Sequence, residues 1–536
     1  MILLIVMVGI SSACSGNTPV NNGQVSVTGG MVQGVNENGL TVFKGIPFAA
    51  PPVGKLRWQP PQPVVPWQGV LKADHFAAAC PQLVSGNFAS IDNNMGAQSE
   101  DCLYLNIWTP ALDKGAKAQL PVMVWIHGGG FAFGASSQSN WTGEKLAAKN
   151  VVLVSIAYRL GVFGFLAHPE LSAESVHEVS GNYGLMDQQA ALAWIQKNIA
   201  AFGGDPANVT IFGESAGGIS VSMLCASPLS KGLFKRAISE SGGAFGPVEE
   251  KRLVEEKRLV EEKRLLGMQS LKSAEQNGLA LAKRLGAANV AALRQVPVEK
   301  ILQDQGSTMG ANWPVCDGYV LLDDATRLYR QGRYNDVDIL IGTNSNEGAM
   351  FLQNPVHKED YLQYANLFGT LKSQALTIYP GNTDTEALTS MRNIFMDTVF
   401  AWPTYTWARL QSMTGHSKIY VYYFDQAEPA HQTTLKFDGA AHSDEINYVF
   451  GHVDKNFNFQ YTDKDRTLST AMMNYWVNFA RTGNPNGNGL PNWPRYEYGK
   501  DTVMYINSGN LKAGPQPNLS RMRFMDLFFA KLRSSI

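Results

Sequence analysis

The chain has 536 residues, 45% of them apolar and 10% aromatic, with 51 Gly and 26 Pro; it can build a large core and is not disordered or collagen-like. Its 44 Lys and Arg face 45 Asp and Glu, a net charge of −1, which leaves no basic excess to neutralise phosphates and argues against nucleic acid as a main partner. The low charged fraction, 17%, argues against long solvated tails and coiled coils.

Residues 2–10, Ile-Leu-Leu-Ile-Val-Met-Val-Gly-Ile, precede Ser11-Ser12-Ala13-Cys14. As a helix this run rises about 13 Å, too little for a bilayer of roughly 30 Å. It fits the apolar part of an export signal over residues 1–14, although it lacks the usual positive flank. Ser-Ser-Ala-Cys also resembles a bacterial lipobox, which makes Cys14 a candidate for lipidation; the alternative is ordinary cleavage after Ala13. The expected location is therefore exported: periplasmic, secreted or lipid-anchored to a bacterial membrane. No later segment reaches 18 uninterrupted apolar residues, so an integral helical membrane protein is not expected.

Residues 15–30 read as a polar linker, and 31–536 as a single domain. Residues 31–48 alternate short β-like runs with Gly and Asn turns, which predicts an opening antiparallel meander. The Pro-rich stretch from Pro51 to Pro66 predicts extended surface chain. Cys80 and Cys102 bracket a loop rich in Asn, Ser and Gly; a disulfide there could stabilise by about 3 kcal/mol, the alternative being two unpaired thiols. Apolar runs follow at Pro121–His127, Val151–Tyr158, Val209–Phe212, Phe234–Ser239, Val337–Gly342 and Lys418–Phe424. They are continuous rather than alternating, as strands covered on both faces are. Helical stretches such as Tyr183–Phe202 and Ala216–Ala226 separate them, which predicts an α/β architecture with functional groups at the carboxyl ends of the strands. Cys225 and Cys316 lie in apolar surroundings and read as inert core thiols.

Val-Glu-Glu-Lys-Arg-Leu occurs three times in tandem over 248–265. Equivalent positions six residues apart land about 120° apart on a helix, so no apolar stripe forms. The segment reads as an expanded surface helix or loop without catalytic consequence, the alternative being an arm that docks a partner.

Gly213-Glu214-Ser215-Ala216-Gly217 matches G-x-S-x-G between an apolar strand and a helical run, the context a nucleophile elbow requires. Trp125-Ile126-His127-Gly128-Gly129-Gly130-Phe131 closes another strand, and its glycines offer unobstructed N–H donors for an oxyanion. With these motifs the chain resembles the type B carboxylesterases of the α/β-hydrolase superfamily, which include bacterial para-nitrobenzyl-type esterases and the cholinesterases. Further matching strings are Val42-Phe43-Lys44-Gly45-Ile46-Pro47-Phe48, Ser99-Glu100-Asp101-Cys102-Leu103-Tyr104-Leu105-Asn106 and Asn182-Tyr183-Gly184-Leu185-Met186-Asp187-Gln188. The resemblance implies a large, mostly parallel central sheet with helices on both faces and a small N-terminal antiparallel meander.

It also implies the remaining site. Glu347, after the run Val337–Gly342, falls at the family's acid, and His442 at its base. The order Ser, acid, His is that of α/β-hydrolases. Without the resemblance His442 is not separable by spacing from His431 or His452, whereas His416 precedes its strand and belongs at the wrong sheet edge. By the same resemblance Gly129, Gly130 and Ala216 supply the oxyanion N–H groups, Cys80 and Cys102 form the first disulfide, and Ser241 supports the acid. His127 reads as structural rather than as a second base. The activity implied is hydrolysis of carboxylic esters through an acyl-enzyme, with a small-molecule ester as partner and no metal or organic cofactor; the loop from Pro81 to Asp101 contains no Trp to hold a quaternary ammonium, Phe88 being its only aromatic residue, so uncharged esters are the expected substrates. Alternatives are a lipase, thioesterase or amidase of the same fold, or a non-catalytic adhesion member.

Overall fold

Along β7, Leu120–Ile126, residues Val122, Val124 and Ile126 join one buried apolar cluster, while Met123 and Trp125 join another on the opposite side. β8 (Val152–Ile156) and β14 (Asp338–Asn344) divide their side chains in the same way. A strand that buries both faces must be apolar at every position, which is why these runs are continuous in sequence. Each such side chain removed from water contributes roughly 1.5–3 kcal/mol.

The computed structural model describes residues 23–83, 95–249, 268–305, 312–427, 429, 438–455 and 460–535. Around β7, β8 and β14 the other strands are β1 (Gln24–Val27), β2 (Gly30–Gln33), β3 (Val35–Glu37), β4 (Leu40–Pro47), β5 (Val70–Lys72), β6 (Tyr104–Thr109), β9 (Gly204–Glu214) and β10 (Arg236–Glu240). Later in the chain come β11 (Val248–Glu249), β12 (Met268–Ser270), β13 (Val315–Cys316), β15 (Ile419–Phe424), β16 (Thr502–Ile506) and β17 (Lys512–Pro515). The central sheet has 11 strands in the order β17-β16-β15-β14-β10-β9-β7-β8-β6-β4-β3. Pairing is parallel from β16 through β8 and antiparallel at both margins. Helices cover both faces. Tyr183–Asn198 and Ala216–Ala226 pack with one cluster, and Asp463–Thr482 brings Tyr475, Trp476 and Phe479 to the other.

The structure refines several expectations. β9 is longer than its apolar run, because Gly204 already pairs with Leu120 of β7, and Asp205 to Asn208 fill a register irregularity before pairing resumes between Val209 and Val122. The predicted helix Tyr183–Phe202 is α-helical only to Asn198; its last turn tightens into a 3₁₀ segment capped by Gly203 at φ 84°. The N-terminal sheet is not purely antiparallel: β1 and β2 form the hairpin, and β5 adds to β2 in parallel. Of the three repeats only Val248 and Glu249 lie among the described residues; they form strand β11 on β12 rather than helix, with Val248 buried in the core. Cys14 and His431 also lie outside the described residues. Among those residues no helix is long and apolar enough to cross a membrane.

Candidate active site

β9 ends at Glu214 and a helix begins at Ala216, so Ser215 alone makes the reversal, with φ 56° and ψ −123°. That conformation is strained for a residue with a Cβ and persists only where its surroundings impose it. A Cβ on Gly217 would stand 2.0 Å from the Ile126 carbonyl oxygen, and one on Gly213 2.6 Å from the same atom. Glycine at both positions lets strand and helix cross the end of β7 in direct contact. The Ser215 N–H donates to the Glu240 carbonyl at 2.9 Å, which ties the elbow to β10.

The glycine loop after β7 returns to this elbow. A Cβ on Gly128 would lie 3.2 Å from Ser215 Cβ and 2.8 Å from the Glu214 carbonyl oxygen. Gly129 and Gly130 adopt φ of 100° and 60°. Ala216 opens the helix, where N–H groups have no intrahelical acceptor. The three expected oxyanion donors thus belong to the two segments that meet at Ser215. His127 is buried, its Nδ1 2.9 Å from the Gly128 carbonyl oxygen and its ring stacked on Tyr158 at 4.5 Å. Burial pushes it down to about 4.

Glu347 is fully buried just beyond β14, and three donors converge on its carboxylate. Oε1 accepts from the Asn344 N–H at 2.7 Å and the Ser241 hydroxyl at 2.6 Å, while Oε2 lies 2.6 Å from His442 Nδ1. The His442 ring stacks on Phe400 at 4.5 Å and tilts against Phe351 at 5.1 Å. Its Nε2 lies 3.1 Å from Glu214 Oε1, the residue before the candidate nucleophile, rather than being bonded to Ser215 Oγ. The Ser443 hydroxyl donates to the same Glu214 oxygen at 2.6 Å. Burial alone would push His442 down, but Glu214 and Glu347 outweigh it and hold the imidazole above its ordinary 6.5. Burial raises Glu214 against the opposing pull of His442 and Ser443. Burial also pushes Glu240 up to about 8 despite the N–H bond from Trp476 at 2.8 Å.

The other histidines separate. His416 is exposed before β15, and His452 is buried elsewhere, bonded to the Asn140 carbonyl with its second nitrogen 3.3 Å from Glu144. Sequence reading missed Glu214 as a neighbour of His442, although it sits inside the G-x-S-x-G string, and missed the Phe400 and Phe351 walls. Cys80 and Cys102 are joined by a disulfide. Cys225 is buried as expected, but Cys316 is only half-buried and lies near Asp317, Asp323 and Asp324. Burial and those charges push its thiol up to about 12, so it stays protonated for a different reason than core packing alone.

A parallel sheet with a strand–serine–helix elbow and an Asp/Glu–His pair at its carboxyl edge defines an α/β-hydrolase. The sequence profile of the Carboxylesterase family matches residues 21–525. The chain is 36% identical over 501 residues to the para-nitrobenzyl esterase of Bacillus subtilis (strain 168), covering 91% of this chain and 95% of that one. It is 36% identical over 499 residues to the fumonisin B1 esterase of Sphingopyxis macrogoltabida, covering 87% and 83%. A solved structure of PNB esterase superposes with a TM-score of 0.77 at 33% identity, covering 94% of this chain and all of that one. The chain belongs to the carboxylesterase family, and its activity is ester hydrolysis of the serine-hydrolase type.

Proposed function

We propose that Ser215, Glu347 and His442 form the catalytic triad of a carboxylic-ester hydrolase acting on uncharged esters. The observation that carries this reading is the 2.6 Å contact of His442 Nδ1 with a carboxylate held by two further donors, beside the strained elbow of Ser215. Glu347 keeps the proton on Nδ1, so Nε2 is the nitrogen that takes the Ser215 proton as the hydroxyl attacks the acyl carbonyl. The N–H groups of Gly129, Gly130 and Ala216 hold the oxyanion; His442 returns the proton to the departing alcohol, and water cleaves the acyl-enzyme. The cycle uses no metal or organic cofactor.

Uncharged substrates are favoured because the loop from Pro81 to Asp101 carries no Trp to hold a quaternary ammonium, Phe88 being its only aromatic residue. Residues 84–94 of that loop lie outside the described ones. The Cys80–Cys102 disulfide supports an exported location, where such bonds persist, and Cys14 remains the proposed lipid attachment point. A fluorophosphonate probe should label the enzyme once per chain at Ser215, and Ser215→Ala should abolish both labelling and turnover, the latter by about 10⁶-fold, without unfolding. Labelling that persists in Ser215→Ala overturns the assignment.

A further inference from the structure

The last residue of β14 and the two that follow it, Asn344, Ser345 and Asn346, all bond to the loop that carries His442. Asn346 Nδ2 donates to the Asp438 carbonyl at 2.7 Å, and the Asn346 N–H to the Ala440 carbonyl at 2.8 Å. The Ala440 N–H donates to the Ser345 hydroxyl oxygen at 2.9 Å, and Asn344 Nδ2 to the Ala441 carbonyl at 2.7 Å. These bonds hold residues 438–441 against residues 344–346, and the next residue on each side is His442 and Glu347. We propose that Asn344, Ser345 and Asn346 are positioning residues: they fix the imidazole of His442 against the Glu347 carboxylate, and with it the angle at which His442 meets Ser215.

The bonds are arranged for alignment as well as attachment. The segment that makes them is itself fixed to the sheet, because the Ser345 N–H donates to the Phe424 carbonyl at the end of β15 at 2.9 Å. Asn344 touches both partners: its N–H donates to Glu347 Oε1 at 2.7 Å, and its side-chain amide holds the residue before His442. That amide has one useful orientation, since the Ala441 carbonyl and the Glu445 carboxylate are both acceptors and both face Nδ2. Gly439 marks how closely the two loops approach: a Cβ there would stand 2.5 Å from Ser345 Oγ, and its φ of 77° is one that glycine adopts freely. Beyond Ala440, the Asp444 carboxylate accepts from the Ala441 N–H at 2.6 Å, so both sides of the peptide unit before His442 are held. A ring misplaced by about 1 Å can cost on the order of 100-fold in rate, so bonds that touch no substrate reach kcat through the ring alone.

This proposal rests on the triad reading, and its test separates the two. Ser345→Ala removes the acceptor of the Ala440 N–H, and Asn346→Ala the donor to Asp438, both at half-buried positions. Active sites are titrated with a fluorophosphonate, and kcat and KM for a neutral butyrate ester are measured per titrated site. Each single variant should lose about 10-fold in kcat and the double variant on the order of 100-fold, with KM within about twofold of the parent. The proton between His442 Nδ1 and Glu347, a far-downfield line in the proton NMR spectrum, should shift or broaden in both variants. Ser345→Thr, which keeps the hydroxyl, should retain the parent's kcat and line. A merely structural role would lower Tm and the number of titratable sites, and leave kcat per site and the line at their parent values. Parent kcat per site in the folded double variant overturns the proposal; if that variant does not fold, Asn346→Ala, whose lost bond is exposed, decides in the same way. Fluorophosphonate labelling that persists in Ser215→Ala would instead overturn the triad reading itself.

Discussion

Glu347→Gln isolates the part of the site on which the catalytic reading depends. Three donors reach this carboxylate: the Asn344 N–H, the Ser241 hydroxyl and His442 Nδ1. Glutamine offers one oxygen and one NH₂, so the network chooses its orientation. With the oxygen toward Asn344 and Ser241, the NH₂ faces Nδ1, which must then accept, and the ring proton moves to Nε2. The flipped amide sets NH₂ against the Asn344 N–H in a fully buried place, a cost of about 1–3 kcal/mol, so the first orientation is preferred by a factor of roughly 5 to 150. In that orientation the base cannot take the Ser215 proton. That preference accounts for up to about 150-fold, and losing the negative charge that stabilises the imidazolium formed on proton transfer accounts for the rest, so the expected loss in kcat is about 10³–10⁴-fold, or about 4–5.5 kcal/mol of barrier, with KM nearly unchanged because Glu347 is shielded from substrate. The assay is steady-state hydrolysis of a para-nitrophenyl ester, with a urea melt to verify that the variant is folded. A folded Glu347→Gln enzyme with more than a tenth of the parent kcat would refute the reasoning.

The acid limb of the parent's pH–rate profile should be centred above 6.5, since Glu214 and Glu347 together outweigh the effect of burial on His442; a limb centred below 6 contradicts the observed carboxylate clamp. Glu240→Gln should stabilise the protein increasingly as pH rises. The folded-state value of Glu240 is raised from 4.5 to about 8, so the native state retains a proton that the unfolded chain loses, and native stability falls across that window. The Tm gap between variant and parent should therefore widen from pH 5 to pH 8, and a constant gap would exclude the raised carboxyl. Butyrylcholine should be a poorer substrate than a neutral butyrate ester by kcat/KM at matched pH and salt, and equal turnover would show that another aromatic residue receives the cation.

The sheet was legible because its strands bury both faces, and Val122 to Ile126 or Ile339 to Ile341 can then be nothing but apolar. The opening of β9 was not, since Gly204 pairs with Leu120 ahead of an irregularity at Asp205 to Asn208, and that pairing depends on the partner strand and not on the polar residues themselves. Ser215 was readable because strand, turn and helix are contiguous in sequence. His442 was not separable from His431 and His452 by spacing, because its partner Glu347 lies 95 residues away and only the folded sheet brings them together. Glu214 was visible as a letter in the motif. Its contact with the base was not, for it joins loops 229 residues apart through Ser443 and the ring beside it.

The physical logic of the site lies in the order of strands at the carboxyl edge. β9, β10, β14 and β15 are consecutive neighbours and parallel, so the elbow after β9 and the proposed acid after β14 open on the same edge with β10 between them. The end of β10 is therefore the brace. The Glu240 carbonyl receives the N–H of Ser215, the N–H of Ser241 donates to the Gly342 carbonyl at 2.9 Å, and the Ser241 hydroxyl reaches Glu347. Ser241 makes these bonds at φ 50°, and Ser215 and Ser443 sit at 56° and 72°, so three residues at the proposed nucleophile, acid and base hold a backbone costly for L-residues, of order 1–3 kcal/mol each. Strain of that size persists only when a rigid scaffold imposes it. Strands buried on both faces supply that rigidity, which ties the continuous apolar runs of the sequence to the precision of the polar groups at their ends.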